Sequence, residues 1–299
     1  MKQYILGVDG GGTKTLGVLY DWEGNEIRRS VSGFSNFSVD ESKTIKHLMD
    51  VLNDLYDPNI VMINMGIAGY SNYQNKASLL KSLSDKFQCN ISMVTDAEIA
   101  LNSIKRNRDN PVVMVLGGTG SVVIYENHDH MKMIGGFGHL LGDEGSGYHL
   151  AITALKQVIN QFEEGKLISP LSSSLLVEIN AENYADIKNF VYNNQKSDIA
   201  RLSEFIAKHA NEGDQEAIDL FVNEGELLAQ QTLKAFRQMQ TCRQVIVGFK
   251  GGFLLNAPYV KETLMKALNQ KNILFTMDTS SVEPVAGAYY LAKRHLDKR

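Results

Sequence analysis

Cysteine occurs only twice in the 299 residues, at Cys89 and Cys242. Two thiols so far apart exclude a disulfide framework or a cysteine metal cluster within the chain. Long apolar runs are also missing: stretches such as Val112–Leu116 are far shorter than the ~20 residues that cross a bilayer. The chain enters a strand pattern at Tyr4 without the apolar region of a secretory leader. Positive charge is not in excess either, since 30 basic against 34 acidic residues leave a net charge of −4. That balance lacks the basic footprint of a nucleic-acid binder. These absences predict a reduced, cytoplasmic protein with neither a membrane nor a nucleic acid as partner.

What the chain has is glycine, unevenly placed. Fifteen of its 25 glycines fall in four short stretches: Gly10–Gly12, Gly117–Gly120, Gly135–Gly147 and Gly248–Gly252. Glycine packs nothing and costs backbone entropy, so such clusters mark sharp turns or backbone approached closely by a ligand. Between residues 148 and 247 only Gly165, Gly213 and Gly225 occur. Interior glycine disfavours helix, and this stretch reads as almost wholly helical, with amphipathic segments at Leu202–His209 and Ala217–Met239.

Elsewhere strands dominate. Tyr4–Val8, Thr15–Tyr20 and Asn25–Val31 read as a meander. Helix Asp40–Tyr56, strand Ile60–Met65, helix Asn72–Phe87, strand Ile91–Val94 and a helix to about Ser103 follow. The polar segment Arg106–Pro111 reads as a linker. Beyond it the meander recurs as Val112–Leu116, Ser121–Tyr125 and Met131–Gly135, with His128-Asp129-His130 as a solvated turn, which suggests a weak internal repeat of topology. The end returns to strand and helix over Gln244–Val247, Tyr259–Leu268, Ile273–Thr276 and Val285–Leu296. The order predicts a two-domain α/β protein.

Four segments carry chemistry. In Asp9-Gly10-Gly11-Gly12-Thr13-Lys14, a glycine hairpin can present backbone N–H groups to phosphate oxygens. Thr13 adds a hydroxyl, Lys14 a cation if it turns inward, and Asp9 a carboxylate able to hold the water shell of Mg²⁺. The GxxxxGK[ST] spacing of a Walker loop is absent. The second cluster, Gly117-Gly118-Thr119-Gly120, runs into the β-branched Ser121–Tyr125 rather than a helix, so it is a second hairpin and not a dinucleotide turn. Thr95-Asp96-Ala97-Glu98 lies where a strand becomes a helix. One of its residues is expected to cap the helix, and a carboxylate there could take a proton from an attacking hydroxyl.

Gly135 to Gly147 places six glycines and the acids Asp143 and Glu144 in thirteen residues. Either acid could accept hydrogen bonds from sugar hydroxyls, and Ser146 opens the next helix. The run is too short for an EF-hand, and His139 has no zinc-site spacing. Last, Gly248 to Gly252 lies between a strand and a helix, where a glycine turn can admit an adenine ring or simply connect the two elements.

In this order these motifs resemble the BadF/BcrA-type ATPases of the actin/hexokinase-like superfamily, and within them the N-acetylglucosamine kinases. The resemblance covers essentially the whole chain, including the closing Pro284-Val285-Ala286-Gly287-Ala288. It implies a ribonuclease H-like ATPase fold with an interdomain cleft. Residues 1–108 with the closing helix 285–299 would form one domain, and 109–284 the other, with a helical insertion at about 145–240. It implies an ATP- and Mg²⁺-dependent kinase acting on the 6-hydroxyl of an N-acetylated amino sugar: N-acetylglucosamine, with N-acetylmuramic acid or glucosamine as further candidates. A homodimer through the helical region is compatible with the family.

The same likeness distributes roles. Gly10, Gly11, Gly12, Thr13 and Lys14 would hold the β- and γ-phosphates, and Asp9 would place Mg²⁺. Asp96 would be the general base. Asn36 would contact the sugar, Gly118, Thr119 and Gly120 would bind phosphate, with Thr119 and Gly120 at the sugar–phosphate junction, and Gly136 with Asp143 would hold hydroxyls or the acetamide. Gly251 and Gly252 would lie near adenosine. Phe249-Lys250 departs from the small residues more usual in that loop. An activator ATPase of 2-hydroxyacyl-CoA dehydratases is the alternative inside the family. It would need cysteines placed to share an iron–sulfur cluster between subunits, and neither Cys89 nor Cys242 is so placed. A non-catalytic sugar sensor would have lost the base or the phosphate loop, and both are present.

Overall fold

The structure, a computed structural model, describes residues 2–127, 130–271 and 273–297. Residues 128 and 129 of the expected His128-Asp129-His130 turn, and the last two residues of the closing segment, lie outside it. The chain divides into two compact units, Met1–Val112 with Asp278–Arg299, and Val113–Met277.

In the first unit β1 (Tyr4–Gly10), β2 (Thr15–Asp21), β3 (Glu26–Ser32), β4 (Ile60–Ile67) and β5 (Asn90–Val94) form one sheet in the order β3-β2-β1-β4-β5. The first three are antiparallel neighbours, while β4 runs parallel to both β1 and β5. Side chains of a strand alternate between faces, and here both faces are apolar. Leu6, Val8 and Leu19 pack with α1 (Glu41–Leu55) and α2 (Lys76–Phe87). Ile5, Leu16, Val18 and Tyr20 pack on the other side with Val285, Tyr289 and Ala292 of the closing helix. A strand buried on two faces loses the polar alternation of a half-exposed one. Helix α2 begins at Lys76 rather than Asn72, because Tyr70–Asn72 closes first into a separate 3-10 turn.

After β5 comes α3 (Asp96–Lys105). The second unit then holds β6 (Val112–Gly117), β7 (Ser121–Asn127) and β8 (His130–Gly135). Its helical body is α4 (Gly147–Glu163), α5 (Pro170–Glu178), α6 (Tyr184–Asn193), α7 (Lys196–Ala200), α8 (Leu202–Asn211) and α9 (Gln215–Met239). It ends with β9 (Val245–Lys250), α10 (Gly252–Asn256), α11 (Val260–Asn269) and β10 (Phe275–Met277). The sheet order β10-β9-β6-β7-β8 repeats that of the first unit position for position. The weak repeat read from the sequence is therefore a true duplication of topology. Gly248, read as part of a glycine turn, is a buried residue inside β9, so only Gly251 and Gly252 make the turn.

The chain returns to the first unit as α12 (Pro284–Asp297), which packs on α3. Gly287 allows this crossing: a Cβ there would lie 1.8 Å from the carbonyl oxygen of Ile99. The fully buried Asn64 donates through Nδ2 to Ala288 O at 3.0 Å and pins the same helix to β4. At the linker, Arg106 and Arg108 reach Asp278 Oδ1 at 2.6 and 3.2 Å.

Candidate active site

The site glycines separate into two kinds by what a side chain on each would meet. A Cβ on Gly10 would lie 2.8 Å from Ile67 and from Ser35, and one on Gly120 would lie 2.7 Å from Asp143 and Lys196. Packing within the protein accounts for these. A Cβ on Gly11, Gly12, Gly118 or Gly252 would meet nothing closer than 3.9 Å, and none of these four has a left-handed backbone. Neither packing nor conformation requires glycine at these four positions, and each leaves open space beside the backbone.

In the first unit, Gly11 N–H donates to Lys14 O at 3.1 Å and closes the hairpin, with Gly12, Thr13 and Lys14 exposed at its tip. Lys14 faces solvent, yet its charge acts on Asp9. Asp9 sits one residue before the end of β1, and its carboxyl is pushed up to about 6. Burial is the largest cause, the negative charge of Asp96 the next, and Lys14 pulls the other way.

Helix α3 resolves the double reading of its first turn. Thr95 Oγ1 accepts the N–H of Glu98 at 3.2 Å, so threonine is the cap. Asp96, the first helical residue, is not the cap; burial raises its pKa above the ordinary carboxylate value, against hydrogen bonds from the Ala97 and Asp96 backbone N–H groups that lower it. Asn36 is held by its backbone and side chain together: its N–H donates to Thr44 Oγ1 at 2.9 Å and its Oδ1 accepts from Ser38 N–H at 2.9 Å.

In the second unit, Gly118 N–H donates to Gly120 O at 2.8 Å, and Gly118 O accepts from Gly147 N–H at 2.9 Å. The second glycine hairpin is thereby joined to the start of α4. Ser146 caps that helix through His149 N–H at 3.2 Å. Gly251, at φ +93°, lies so close to Gly117 that a Cβ would be 2.4 Å from its carbonyl oxygen. These turns surround a cavity of about 710 Å³ lined by Gly118, Thr119, Gly147, Ser197, Gly252 and Asn256 among others. The unusual Phe249 is buried within β9 and stays out of this cavity.

The glycine- and acid-rich run is irregular, as its composition requires. Gly136 has φ +75° and its Cβ would crowd Val122 at 2.9 Å. Asp143 is only 3% exposed: Oδ2 lies 2.5 Å from Lys196 Nζ as an ion pair without hydrogen-bond geometry, and Oδ1 accepts the Ser121 N–H at 3.2 Å. Glu144 is half-buried, and its carbonyl accepts from Ser121 Oγ and Gln231 Nε2. His139 is exposed and stands edge-on to the ring of Tyr148. Among the described residues no cluster of histidine, cysteine or acids is set to bind a metal ion. Cys89 is half-buried, and burial pushes its thiol up to about 11. Cys242 is exposed beyond α9.

Two residues here escaped the sequence reading. Lys196 lies in the glycine-poor helical region with no motif around it. Glu224 had a signal: it stands among Leu220, Phe221 and Leu228 on the buried stripe of α9, where a lone carboxylate needs partners. Its partners are Gly145 N–H at 2.7 Å and His149 Nδ1 at 2.8 Å.

Duplicated sheets of this order, each with a glycine hairpin between its first two strands, define the actin/hexokinase-like fold. The chain belongs to the BadF/BadG/BcrA/BcrD ATPase family, which matches residues 6–292. It is similar to the N-acetylmuramic acid/N-acetylglucosamine kinase of Clostridium acetobutylicum, with 25% identity over 99% of this chain and 100% of that one. It is also similar to the N-acetyl-D-glucosamine kinase of Dictyostelium discoideum, with 28% identity over 72% of this chain and 73% of that protein. Among solved structures, a Chromobacterium violaceum protein matches with a TM-score of 0.73 at 22% identity, over 97% of this chain and 99% of that one. A ROK family glucokinase from Streptomyces griseus shares the fold at a TM-score of 0.57 and 16% identity, over 97% and 99% of the two chains.

Proposed function

We propose that this protein is an ATP-dependent kinase that phosphorylates the 6-hydroxyl of an N-acetylated amino sugar. The observation that carries the reading is Asp96. It is a half-buried carboxylate in the first turn of α3, where Thr95 is the cap, raised in pKa by burial despite hydrogen bonds from the Ala97 and Asp96 backbone, in the same unit as the exposed glycine hairpin. A general base needs reach and a pKa moved toward neutrality. Asp96 takes the proton of the sugar hydroxyl as that oxygen bonds to the γ-phosphorus of ATP. The bond from phosphorus to the ADP oxygen breaks, and the proton passes on to solvent. Little other covalent chemistry is asked of the protein, because positioning and charge stabilisation supply most of the rate in phosphoryl transfer.

Gly10, Gly11, Gly12, Thr13 and Lys14 are assigned to the β- and γ-phosphates, Gly118, Thr119 and Gly120 to the sugar–phosphate junction, and Gly251 and Gly252 to adenosine. Asn36, Gly136 and Asp143 are assigned to the sugar. The carboxylate of Asp9, pushed up by burial and by Asp96, suits a hard dication that would relieve both. Mg²⁺ bound there would neutralise phosphate charge, and Asp9 would hold it. The proposal extends to a cytoplasmic enzyme, active as a homodimer, that serves amino-sugar recycling.

The deciding experiment is an ADP-release assay with N-acetylglucosamine, N-acetylmuramic acid, glucosamine and glucose. Turnover on an N-acetylated sugar is expected. Turnover on glucosamine alone would shift the reading to a glucosamine kinase, and none on any sugar would end it.

A further inference from the structure

Lys196 opens α7 and sends its ammonium to Asp143, 2.5 Å from Oδ2. The same ammonium stands beside Gly120, where a Cβ would lie 2.7 Å from it. Lys196 therefore touches two positions that the kinase reading gives to the sugar side of the site. It does not line the 710 Å³ cavity, although the next residue, Ser197, does. The lysine is thus placed against Asp143 and Gly120 of the sugar side. About a third of its side chain is exposed, so it is not sealed in with the nearly buried Asp143.

An ammonium has three N–H donors, and its contact with Asp143 Oδ2 is an ion pair without hydrogen-bond geometry, which leaves those donors to offer. Alone, Asp143 would accept from neutral hydroxyls but repel any carboxylate brought near it. Paired with Lys196, its charge is balanced, and an incoming anion finds a compact cation with free protons. Gly135 to Gly147 itself contains two acids, one histidine and neither lysine nor arginine.

We propose that Lys196 is a specificity-determining residue that admits an amino sugar bearing a carboxylate, the class to which N-acetylmuramic acid belongs. The inference rests on the kinase reading and deepens it.

The test compares kcat/KM for N-acetylmuramic acid and N-acetylglucosamine at saturating ATP, in the wild type, Lys196→Met and Lys196→Arg. The wild type is expected to phosphorylate both sugars. Lys196→Met would leave the Asp143 charge facing the carboxylate of the acidic sugar, a like-charge contact, so it should lower the acidic-to-neutral ratio by at least about tenfold. Lys196→Arg should keep most of it. A second measurement needs no variant: added salt should depress kcat/KM for the acidic sugar of the wild type more than for the neutral one. The inference is overturned if both sugars fall together in Lys196→Met, which would make the lysine only a prop for the hairpin. It is equally overturned if the wild type accepts the neutral sugar and refuses the acidic one, or if salt acts alike on both. Failure of the wild type on every sugar would instead overturn the kinase reading beneath it.

Discussion

His149 Nδ1 lies 2.8 Å from Oε1 of Glu224, a carboxylate with no exposed surface whose Oε2 accepts the Gly145 N–H at 2.7 Å. One side chain of α9 thus holds both the last turn of the glycine- and acid-rich run and the first turn of α4. Gly145 itself is wedged against Leu228, which a Cβ would approach to 2.3 Å. The run is irregular but not loose at this end.

Glu224→Leu should therefore be strongly destabilising. It leaves a buried N–H and a half-buried imidazole without their partner, and breaking a buried pair from one side costs about 3–5 kcal/mol. Glu224→Gln, which keeps an acceptor oxygen, should cost less. Urea unfolding measures both. A loss below about 1 kcal/mol in Glu224→Leu would mean that the clamp carries no load.

The same pair makes stability depend on pH. The hydrogen bond to Glu224 is the largest influence on His149 and raises its pKa above the ordinary histidine value, against the opposing effect of burial. A raised folded-state pKa stabilises the fold fully below the unfolded value of about 6.5 and loses that contribution as pH rises through the folded value. The stability difference between wild type and His149→Gln should thus be largest in mild acid and shrink through neutrality into the alkaline range. A difference that stays constant with pH would show that His149 is not protonated beside Glu224.

The short apolar runs of β1 and β2, and the stripe at 3–4 spacing in α9, were readable because run length and helical period are written in residue type. The duplicated topology followed from the two glycine hairpins, each preceded by an apolar strand. The capping choice between Thr95 and Asp96 was not readable, since both residues cap well and only the backbone decides which oxygen meets Glu98 N–H. The Lys196–Asp143 pair was less readable still. Its members lie 53 positions apart, a lysine and an aspartate are ordinary surface residues, and only the path of the chain from α4 to α7 brings them together. Gly248 misled because a glycine inside a buried strand looks the same in sequence as one in the turn that follows it.

Gly12→Ala and Gly118→Ala give a direct test of the phosphate hairpins. Neither Cβ would meet an atom closer than 4.0 Å, and neither backbone is left-handed. The free protein should tolerate both, with stability unchanged or raised by up to about 1 kcal/mol through a less flexible unfolded chain. ATP binding should nonetheless weaken, by about tenfold or ~1.4 kcal/mol, because the added methyl occupies space a phosphate approaches. Isothermal titration with ATP, beside thermal unfolding, reads the two effects separately. Normal ATP affinity in both variants would remove the hairpins from nucleotide binding.

Asp96→Asn tests the chemical step. Asparagine keeps the size and hydrogen-bonding capacity of the residue but cannot take a proton. Thr95 remains the helix cap, so α3 should form as before. Removing the negative charge also relieves Asp9, whose carboxyl Asp96 helps to push up to about 6, so folding should not suffer from the exchange. Turnover should fall on the order of 10²-fold or more, as expected for loss of a general base. Affinity for ATP should change little, since the first step needs no proton acceptor. Pre-steady-state phosphorylation of the sugar separates chemistry from product release. Turnover near the wild-type rate would exclude Asp96 as the base and leave the hydroxyl proton to another group.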